Sequence, residues 1–341
     1  MPEIDLTVTA DDGTVLPGTL TLPEGPGPHP AVLLLHGSGP LDRDGNARKV
    51  PMNLGPPLAD TLARAGVATL RHDRRGVGAS PGNWQESGFT GNRRDASAAL
   101  RALRAHPAVR TGSVGVVGHS EGALHGMTLA ARGETEAVVL LAGFARTGED
   151  AFRQQAATVF RGMPAPVRLL RRPLAALGER ILARLKRTTT DVARVAGKSV
   201  NARWMREMFV HDSRDDLAAI TVPVLAVTGD KDLQCDPADL EVMRRLVPGG
   251  DTEIHRVPDL THLLRRDTGE PTIRSYRRLL REPVDPEVLA LVAGWLTDRL
   301  GEPAREPLGE PAREPLGEPA REPLDEPARE PVDERRTTRR P

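Results

Sequence analysis

The order in which short apolar runs and amphipathic segments follow one another limits this chain to few folds. Largely apolar runs lie at 31–35, 67–70, 114–117 and 137–141, and the stretches between them have helical periodicity. Short runs without polar alternation are typical of parallel strands that are buried on both faces. Strands that alternate with helices form a parallel sheet through right-handed crossovers, so we expect an α/β fold.

The first and last elements of the folded part complete this prediction. Ile4, Leu6 and Val8 alternate with polar residues before an Asp12-Gly13 turn, which is the pattern of a β-hairpin. The further predicted elements are helices at 58–65, 93–105, 122–132, 239–246 and 287–300 and strands at 15–22, 222–227 and 253–257. We therefore expect a mostly parallel central sheet of about eight strands with flanking helices.

Between 145 and 219 the alternation stops, and the segment is rich in Arg and helical in pattern. Two apolar stripes lie in it, formed by Leu174, Leu177, Ile181 and Leu185 and by Trp204, Met205, Met208 and Phe209. We expect a helical lid insertion over the carboxyl edge of the sheet, although two helices packed on the core would have the same pattern. The α/β core is then divided into a first part, 1–144, and a second part, 220–300.

The last segment, 301–341, is a repeat. The octad GEPAREPL begins at Gly301, Gly309 and Gly317 and returns as DEPAREPV at Asp325. Each unit contains two prolines and little apolar surface, so its burial cannot offset the entropy of ordering. We expect a disordered, extended tail with polyproline II character.

Charge and cysteine content exclude several classes of protein. Lys plus Arg and Asp plus Glu both number 47, so the chain lacks the basic footprint of a nucleic-acid partner. No apolar run approaches the roughly 18 residues of a membrane span, and no secretory leader is visible at the start. The single cysteine, Cys235, suits a reducing compartment. We expect a soluble cytoplasmic protein without cofactor or metal, and its oligomeric state stays open.

A glycine-flanked serine directly follows one of the predicted strands. The pentapeptide at 118–122, GHSEG, fits G-x-S-x-G between the run 114–117 and a helical segment. This is the context of a nucleophile elbow, in which a sharp turn exposes the serine at a helix N-terminus. The positive end of the helix dipole favours developing negative charge there. Ser120 is therefore the predicted nucleophile.

A serine hydroxyl needs a base, which is usually a neutral histidine. Where a nucleophile elbow is used, the chain order is serine, acid, histidine, and His262 satisfies it from the loop after the predicted strand 253–257. The other histidines lie inside that strand, in the insertion, or before or beside the elbow. His262 is the predicted base.

The acid is expected in the loop 228–237, where Asp230, Asp232 and Asp236 all have the right residue type. An aspartate before a proline, such as Asp236, is typical of a turn or helix cap. We select Asp232 as the acid, and Asp230 is the main alternative. The acid would accept the Nδ1 proton of His262 and fix the tautomer of its ring.

An oxyanion hole needs two preorganised N–H donors. We expect one at the backbone amide of Glu121, the residue after the serine, and one in the loop after the first core strand. That loop, 36–40, reads HGSGP, and we assign its donor to Ser38. Asp73 and Arg74, in a turn after another strand, are expected to pair with each other near the site.

Five segments together resemble a known superfamily. They are HGSGP at 36–40, DRRGVGAS at 73–80, GHSEG at 118–122, GDKD at 229–232 and His262. The chain from about 3 to 300 is similar to the α/β-hydrolase superfamily, and more narrowly to bacterial carboxylesterases related to the dienelactone hydrolase and prolyl oligopeptidase-like group. The resemblance implies Ser120 as nucleophile, Asp232 as acid, His262 as base, and Ser38 and Glu121 as oxyanion donors.

The function expected from these residues is that of a serine hydrolase. We predict hydrolysis of small-molecule carboxylic esters with short to medium acyl chains through an acyl-enzyme. An acyl-CoA thioesterase, a lactonase or a peptidase would use the same three residues. A binding protein of the same fold without catalysis is the alternative from another class, because a fold does not fix function.

Overall fold

An eight-stranded sheet forms the centre of the structure, a computed structural model in which residues 1–161, 171–249 and 251–301 are described. In spatial order its strands are β1 (Glu3–Thr9), β2 (Val15–Thr21), β6 (Ala68–His72), β3 (His29–Leu35), β7 (Val109–His119), β8 (Ala137–Leu141), β11 (Val224–Gly229) and β12 (Thr252–Val257). The pairs β1–β2 and β2–β6 are antiparallel, and the remaining neighbours are parallel. The predicted fold class, a mostly parallel α/β sheet, is confirmed.

Helices cover both faces of this sheet. They are α1 (Gly55–Arg64), α2 (Phe89–Arg104), α3 (Glu121–Ala131), α4 (Gly148–Arg161), α5 (Arg171–Lys186), α6 (Ala202–Val210), α7 (Ser213–Ala219), α8 (Asp239–Leu246), α9 (Tyr276–Leu279) and α10 (Pro286–Leu300). Leu33 on β3 belongs to the apolar cluster under α2 and α3, whereas Leu34 belongs to the cluster under α1 and α10. The strand is buried on both faces because successive side chains point to opposite sides of the sheet.

The segment 145–219 differs from the purely helical prediction. Besides helices α4 to α7 it contains a hairpin of β9 (Val192–Val195) and β10 (Lys198–Asn201). Its turn residues Ala196 and Gly197 both have positive φ, 48° and 78°, as a tight two-residue hairpin turn requires. The strands are too short to give an alternation that stands out against helical periodicity.

The remaining features are a short hairpin after β3, the length of the described helices, and the repeat tail. A second short hairpin, β4 (Asn46–Ala47) and β5 (Val50–Pro51), follows the loop after β3. In the part of the chain that the structure describes, no helix is both long and apolar enough to cross a bilayer. The predicted repeat tail lies outside the described residues from 302 onward.

The turn from β7 to α3 is packed so closely that two positions require glycine. A Cβ atom on Gly118 would lie 2.2 Å from the carbonyl oxygen of Gly122. A Cβ atom on Gly122 would lie 2.1 Å from the carbonyl oxygen of Leu35, at the end of β3. The helix therefore begins in direct backbone contact with the neighbouring strand.

We expect Gly122→Ala to destabilise the fold by about 3 kcal/mol, because the new methyl group overlaps a backbone oxygen that cannot move alone. Gly294→Ala is the matched control, since Gly294 is exposed in α10 and a Cβ there meets nothing within 4 Å. That control should gain up to about 1 kcal/mol from helix propensity. Urea unfolding midpoints measure both, and equal stability of the two variants would contradict this account of the turn.

Candidate active site

Ser120 lies at the turn between β7 and α3 in a strained backbone conformation. Its φ of 55° and ψ of −117° lie in a region that non-glycine residues rarely adopt. The Ser120 amide donates to the carbonyl of Leu141 at 2.9 Å, and its carbonyl accepts from the amide of Ala123 at 2.9 Å. Such strain costs about 1–3 kcal/mol and persists where the surroundings over-determine it. The predicted nucleophile elbow is present in this geometry.

His262 and Asp232 stand beside this serine. His262 Nε2 is 3.1 Å from Ser120 Oγ, and its Nδ1 is 2.9 Å from Asp232 Oδ2. His262 is 4 % exposed and Asp232 7 % exposed, so water has little access to their contact. The structure therefore brings together the three residues selected from the sequence.

The three aspartates in the loop after β11 make different hydrogen bonds. Asp232 Oδ1 accepts from the amides of Gln234 at 2.7 Å and Cys235 at 2.8 Å, which orients its carboxylate toward His262. Asp230 instead accepts from the amide of Asp259 at 2.7 Å. Asp236 accepts from the amide two residues later at 3.1 Å, as in a turn. Of the three, Asp232 is the one hydrogen-bonded to the histidine.

Two further histidines are buried beneath the site. His119 donates from Nε2 to the carbonyl of His262 at 2.9 Å, and His36 donates to the carbonyl of Arg43 at 2.8 Å. Burial lowers the pKa of His119 to about 3 and that of His36 to about 4. Both rings are therefore neutral near pH 7, and they hold loop backbone in place without adding charge.

The loop 36–40 runs directly against the serine. A Cβ atom on Gly37 would lie 3.3 Å from Ser120 Cβ, so glycine permits this close approach. Ser38 and Glu121 line the same cavity as Ser120. Within the described ranges, neither the Ser38 amide nor the Glu121 amide donates a hydrogen bond to another protein group. Both predicted donors are thus placed at the serine with their N–H groups unused by the protein.

The side chain of Glu121 belongs to a buried network that the sequence did not predict. Its carboxylate accepts from Arg74 Nη1 at 3.3 Å, His125 Nε2 at 3.0 Å and Asn92 Nδ2 at 3.1 Å. Burial alone raises the pKa of Glu121, but Arg74 and the two hydrogen bonds outweigh burial and hold this pKa well below its usual range. The carboxylate is therefore ionised, and only 3 % of the side chain is exposed.

Arg74 joins the two segments that contain the predicted donors. Its Nη2 donates to the carbonyl of His36 at 2.6 Å while its Nη1 contacts Glu121. The expected pairing of Arg74 with Asp73 is wrong, because Asp73 pairs with Arg43 at 2.8 Å. The available signal was Glu121 itself, since an acid in the first turn of a buried helix needs a cationic partner.

Two cavities lie next to each other at the site and share three lining residues. The near cavity, of about 250 Å³, is lined by Ser120 together with Leu124, Phe144, Phe152, Trp204 and Met208. The far cavity, of about 280 Å³, is lined by Trp84, Val200, Trp204 and Met205 and by the polar residues Arg74 and Asn92. Ser38, Glu121 and Trp204 line both. The insertion therefore supplies apolar walls to the site.

One group of potential metal ligands overlaps the site. Ligand atoms of Asp232, Cys235 and His262 lie within 4.8 Å of one another. Cys235 Sγ, however, donates to the carbonyl of Ala142 at 2.9 Å, and burial raises the pKa of its thiol. A metal ligand must be the thiolate, so this donor set does not suit a metal ion.

Comparison with known proteins places the chain among hydrolases. The profile of the family described as Serine aminopeptidase, S33, matches residues 53–269, more than half of the chain. Esterase EstD of Thermotoga maritima is 26% identical over 304 residues, which cover 86% of this chain and 67% of that protein.

Solved structures share the fold at low identity. Est1E from Butyrivibrio proteoclasticus, with ferulic acid bound, has a TM-score of 0.59 at 19% identity and is covered over 99% of its length by 86% of this chain. An esterase of Pyrococcus furiosus has a TM-score of 0.56 at 16% identity, with 88% of this chain and 92% of that one covered. With its fold and elbow, the chain belongs to the Serine aminopeptidase, S33, family and is a serine hydrolase of the α/β-hydrolase type.

Proposed function

We propose that the chain hydrolyses carboxylic esters with Ser120 as nucleophile, His262 as base and Asp232 as acid. The observation that carries this proposal is the hydrogen-bond chain from Ser120 Oγ through His262 to Asp232, placed at the mouth of a cavity. The similar proteins that are named as esterases support the same bond type.

The reaction follows from the positions of these groups. His262 Nε2 takes the proton of Ser120 Oγ as this oxygen bonds to the ester carbonyl carbon. The amides of Ser38 and Glu121 donate to the resulting oxyanion. The bond from carbon to the alcohol oxygen then breaks, and the alcohol leaves with the proton from His262. Water repeats the sequence and releases the acid.

The near cavity supports a short to medium acyl chain as the group that stays on the serine. Its apolar lining of Leu124, Phe152 and Met208 suits an alkyl chain, and its volume is at the low end for a ligand site. The only charged lining residue among those described is Glu121, which Arg74 neutralises.

The family description raises aminopeptidase activity as a second candidate, to which the cavity lends little support. An aminopeptidase must hold the ammonium group of its substrate, and that needs an acid without a partner of its own. Glu121 already accepts from Arg74, His125 and Asn92. A neutral ester therefore fits the described lining better than a peptide with a free amino terminus.

We expect Ser120→Ala to abolish turnover of p-nitrophenyl acetate and butyrate and labelling by a fluorophosphonate, because no other described group stands at hydrogen-bond distance from His262 Nε2. Spectrophotometric rates and gel detection of the label measure the two effects. Turnover without labelling, or labelling that survives the substitution, would count against Ser120 as the nucleophile.

We expect Asp232→Asn to lower kcat by about 10³–10⁴-fold, because the amide favours the wrong tautomer of His262. Asp230→Asn is the matched control from the same loop and should change kcat by less than about threefold, since the Asp230 carboxylate accepts from the amide of Asp259 and not from the histidine ring. Steady-state kinetics on p-nitrophenyl butyrate measures both. The reverse ranking would make Asp230 the acid.

We expect Arg74→Met to lower kcat by about 10- to 100-fold with a smaller change in KM, because Arg74 positions the two segments that contain the donor amides. Arg74→Lys should recover part of this loss, since it restores the charge beside Glu121 but not both hydrogen bonds. Kinetics and circular dichroism on the same samples separate catalysis from folding. Equal kcat in wild type and Arg74→Met would remove Arg74 from the mechanism.

A further inference from the structure

We propose that the far cavity is a second subsite, which binds a neutral aromatic group on the alcohol half of the ester. This inference rests on the ester hydrolysis proposed above and names the substrate class for it. The far cavity shares residues with the near cavity, has an apolar aromatic lining and a wall held by hydrogen bonds, and does not border Ser120.

The far cavity is continuous with the site rather than a separate surface feature. Ser38, Glu121 and Trp204 line it and the near cavity alike. Two of these three residues contain the amides proposed as oxyanion donors. A single substrate whose carbonyl lies at those amides therefore extends into one cavity on each side of them.

The lining of the far cavity selects an aromatic occupant. The whole chain has three Trp and nine aromatic residues of the Phe, Tyr and Trp types, and two of the three Trp, Trp84 and Trp204, face this one space. Met205 and Val200 complete the apolar part, and Met sulfur contacts aromatic rings favourably. Aromatic rings prefer such partners over water because of their buried area and quadrupole.

The charged and amide side chains of the lining already have partners within the protein. Among the described lining residues the charged ones are Arg74 and Glu121, which form an ion pair and leave no net charge facing the cavity. Asn201 uses its amide nitrogen on the carbonyls of Trp84 at 2.9 Å and Ser87 at 2.7 Å, and its oxygen accepts from the amide of Trp204 at 2.9 Å. A charged ligand would therefore lose hydration without gaining a charged side chain that is free to pair with it.

Asn201 also builds the wall in advance of binding. It ends β10 and caps α6, so one side chain ties the backbone of Trp84 to that of Trp204. Gln85 adds a second link, donating to the carbonyl of Ser199 at 3.3 Å. A wall held by such hydrogen bonds lowers the ordering cost on binding.

The location of Ser120 decides which half of the ester enters. The acyl group stays bonded to Ser120 Oγ in the intermediate, and Ser120 lines the near cavity. The far cavity borders the oxyanion amides without bordering Ser120. The near cavity therefore holds the acyl chain, and the far cavity holds the alcohol that leaves.

The test measures kcat/KM of the full-length protein for two series of esters. Methyl, benzyl and 2-naphthylmethyl butyrates vary the alcohol, and benzyl acetate, butyrate and hexanoate vary the acyl chain. We expect wild-type kcat/KM to rise at least tenfold from the methyl to the naphthylmethyl ester. Trp84→Ala should reduce this ratio by about tenfold, and Phe152→Ala, on the near cavity, should change the acyl series instead. Val210→Ala, an exposed apolar position outside both cavities, controls for general effects.

Three outcomes overturn the proposal. A wild type that does not discriminate among alcohols shows that the far cavity is not a subsite. A shift of the acyl series by Trp84→Ala assigns that cavity to the acyl chain. A change of the alcohol ratio by Phe152→Ala equal to that by Trp84→Ala shows that the two cavities do not act separately.

A binding measurement separates this proposal from the proposed function. We expect 2-naphthol to quench intrinsic Trp fluorescence, since two of the three Trp line the cavity. Its Kd should weaken about tenfold in Trp84→Ala and stay unchanged in Val210→Ala. If all esters are inert but 2-naphthol binds in this way, ester hydrolysis fails and the aromatic subsite stands. If esters turn over but 2-naphthol does not bind, the subsite fails alone.

Discussion

The sharp turn at Ser120 is the constraint on which the site depends. The chain leaves β7 and enters α3 within one residue, and this requires the strained φ of Ser120 and the absence of side chains at Gly118 and Gly122. Because Gly122 lies against the backbone of Leu35, the start of α3 is in direct contact with the end of β3. The loop after β3 then passes directly over the serine, so one contact fixes both the exposure of Ser120 and the place of Ser38.

A second constraint is the burial of charge next to this turn. Glu121 and Arg74 are 3 % and 13 % exposed in their side chains, and leaving either alone would cost about 3–5 kcal/mol. Each is satisfied by the other and by neighbouring polar groups, so the ionised pair adds no net charge to the cavities. Under the ester hydrolysis proposed above, a neutral substrate suits this pairing.

Sequence patterns predicted the core and the placement of Ser120, Asp232 and His262, because loops after parallel strands meet at one edge of the sheet. The glycines of the G-x-S-x-G motif and the chain order serine, acid, histidine were the basis of that prediction. Patterns did not predict the pairing of Arg74 with Glu121, because 47 positions separate these residues and only the fold brings them together. The β9–β10 hairpin was also missed, since four-residue strands leave no distinct period and the hydrogen bonds that link them to Trp84 and Gln85 are distant in sequence.

The insertion adds walls to a site whose proposed triad lies in the core. Ser120, Asp232 and His262 lie in the turn or loops that directly follow β7, β11 and β12. Trp204 comes from the insertion, where Asn201 fixes its backbone, and it lines both cavities at once. The insertion is anchored to the core by polar contacts, such as those from Asn201 Nδ2 to the carbonyls of Trp84 and Ser87. Under the proposed function, substrate choice therefore depends on the insertion together with Trp84 and Leu124 of the core.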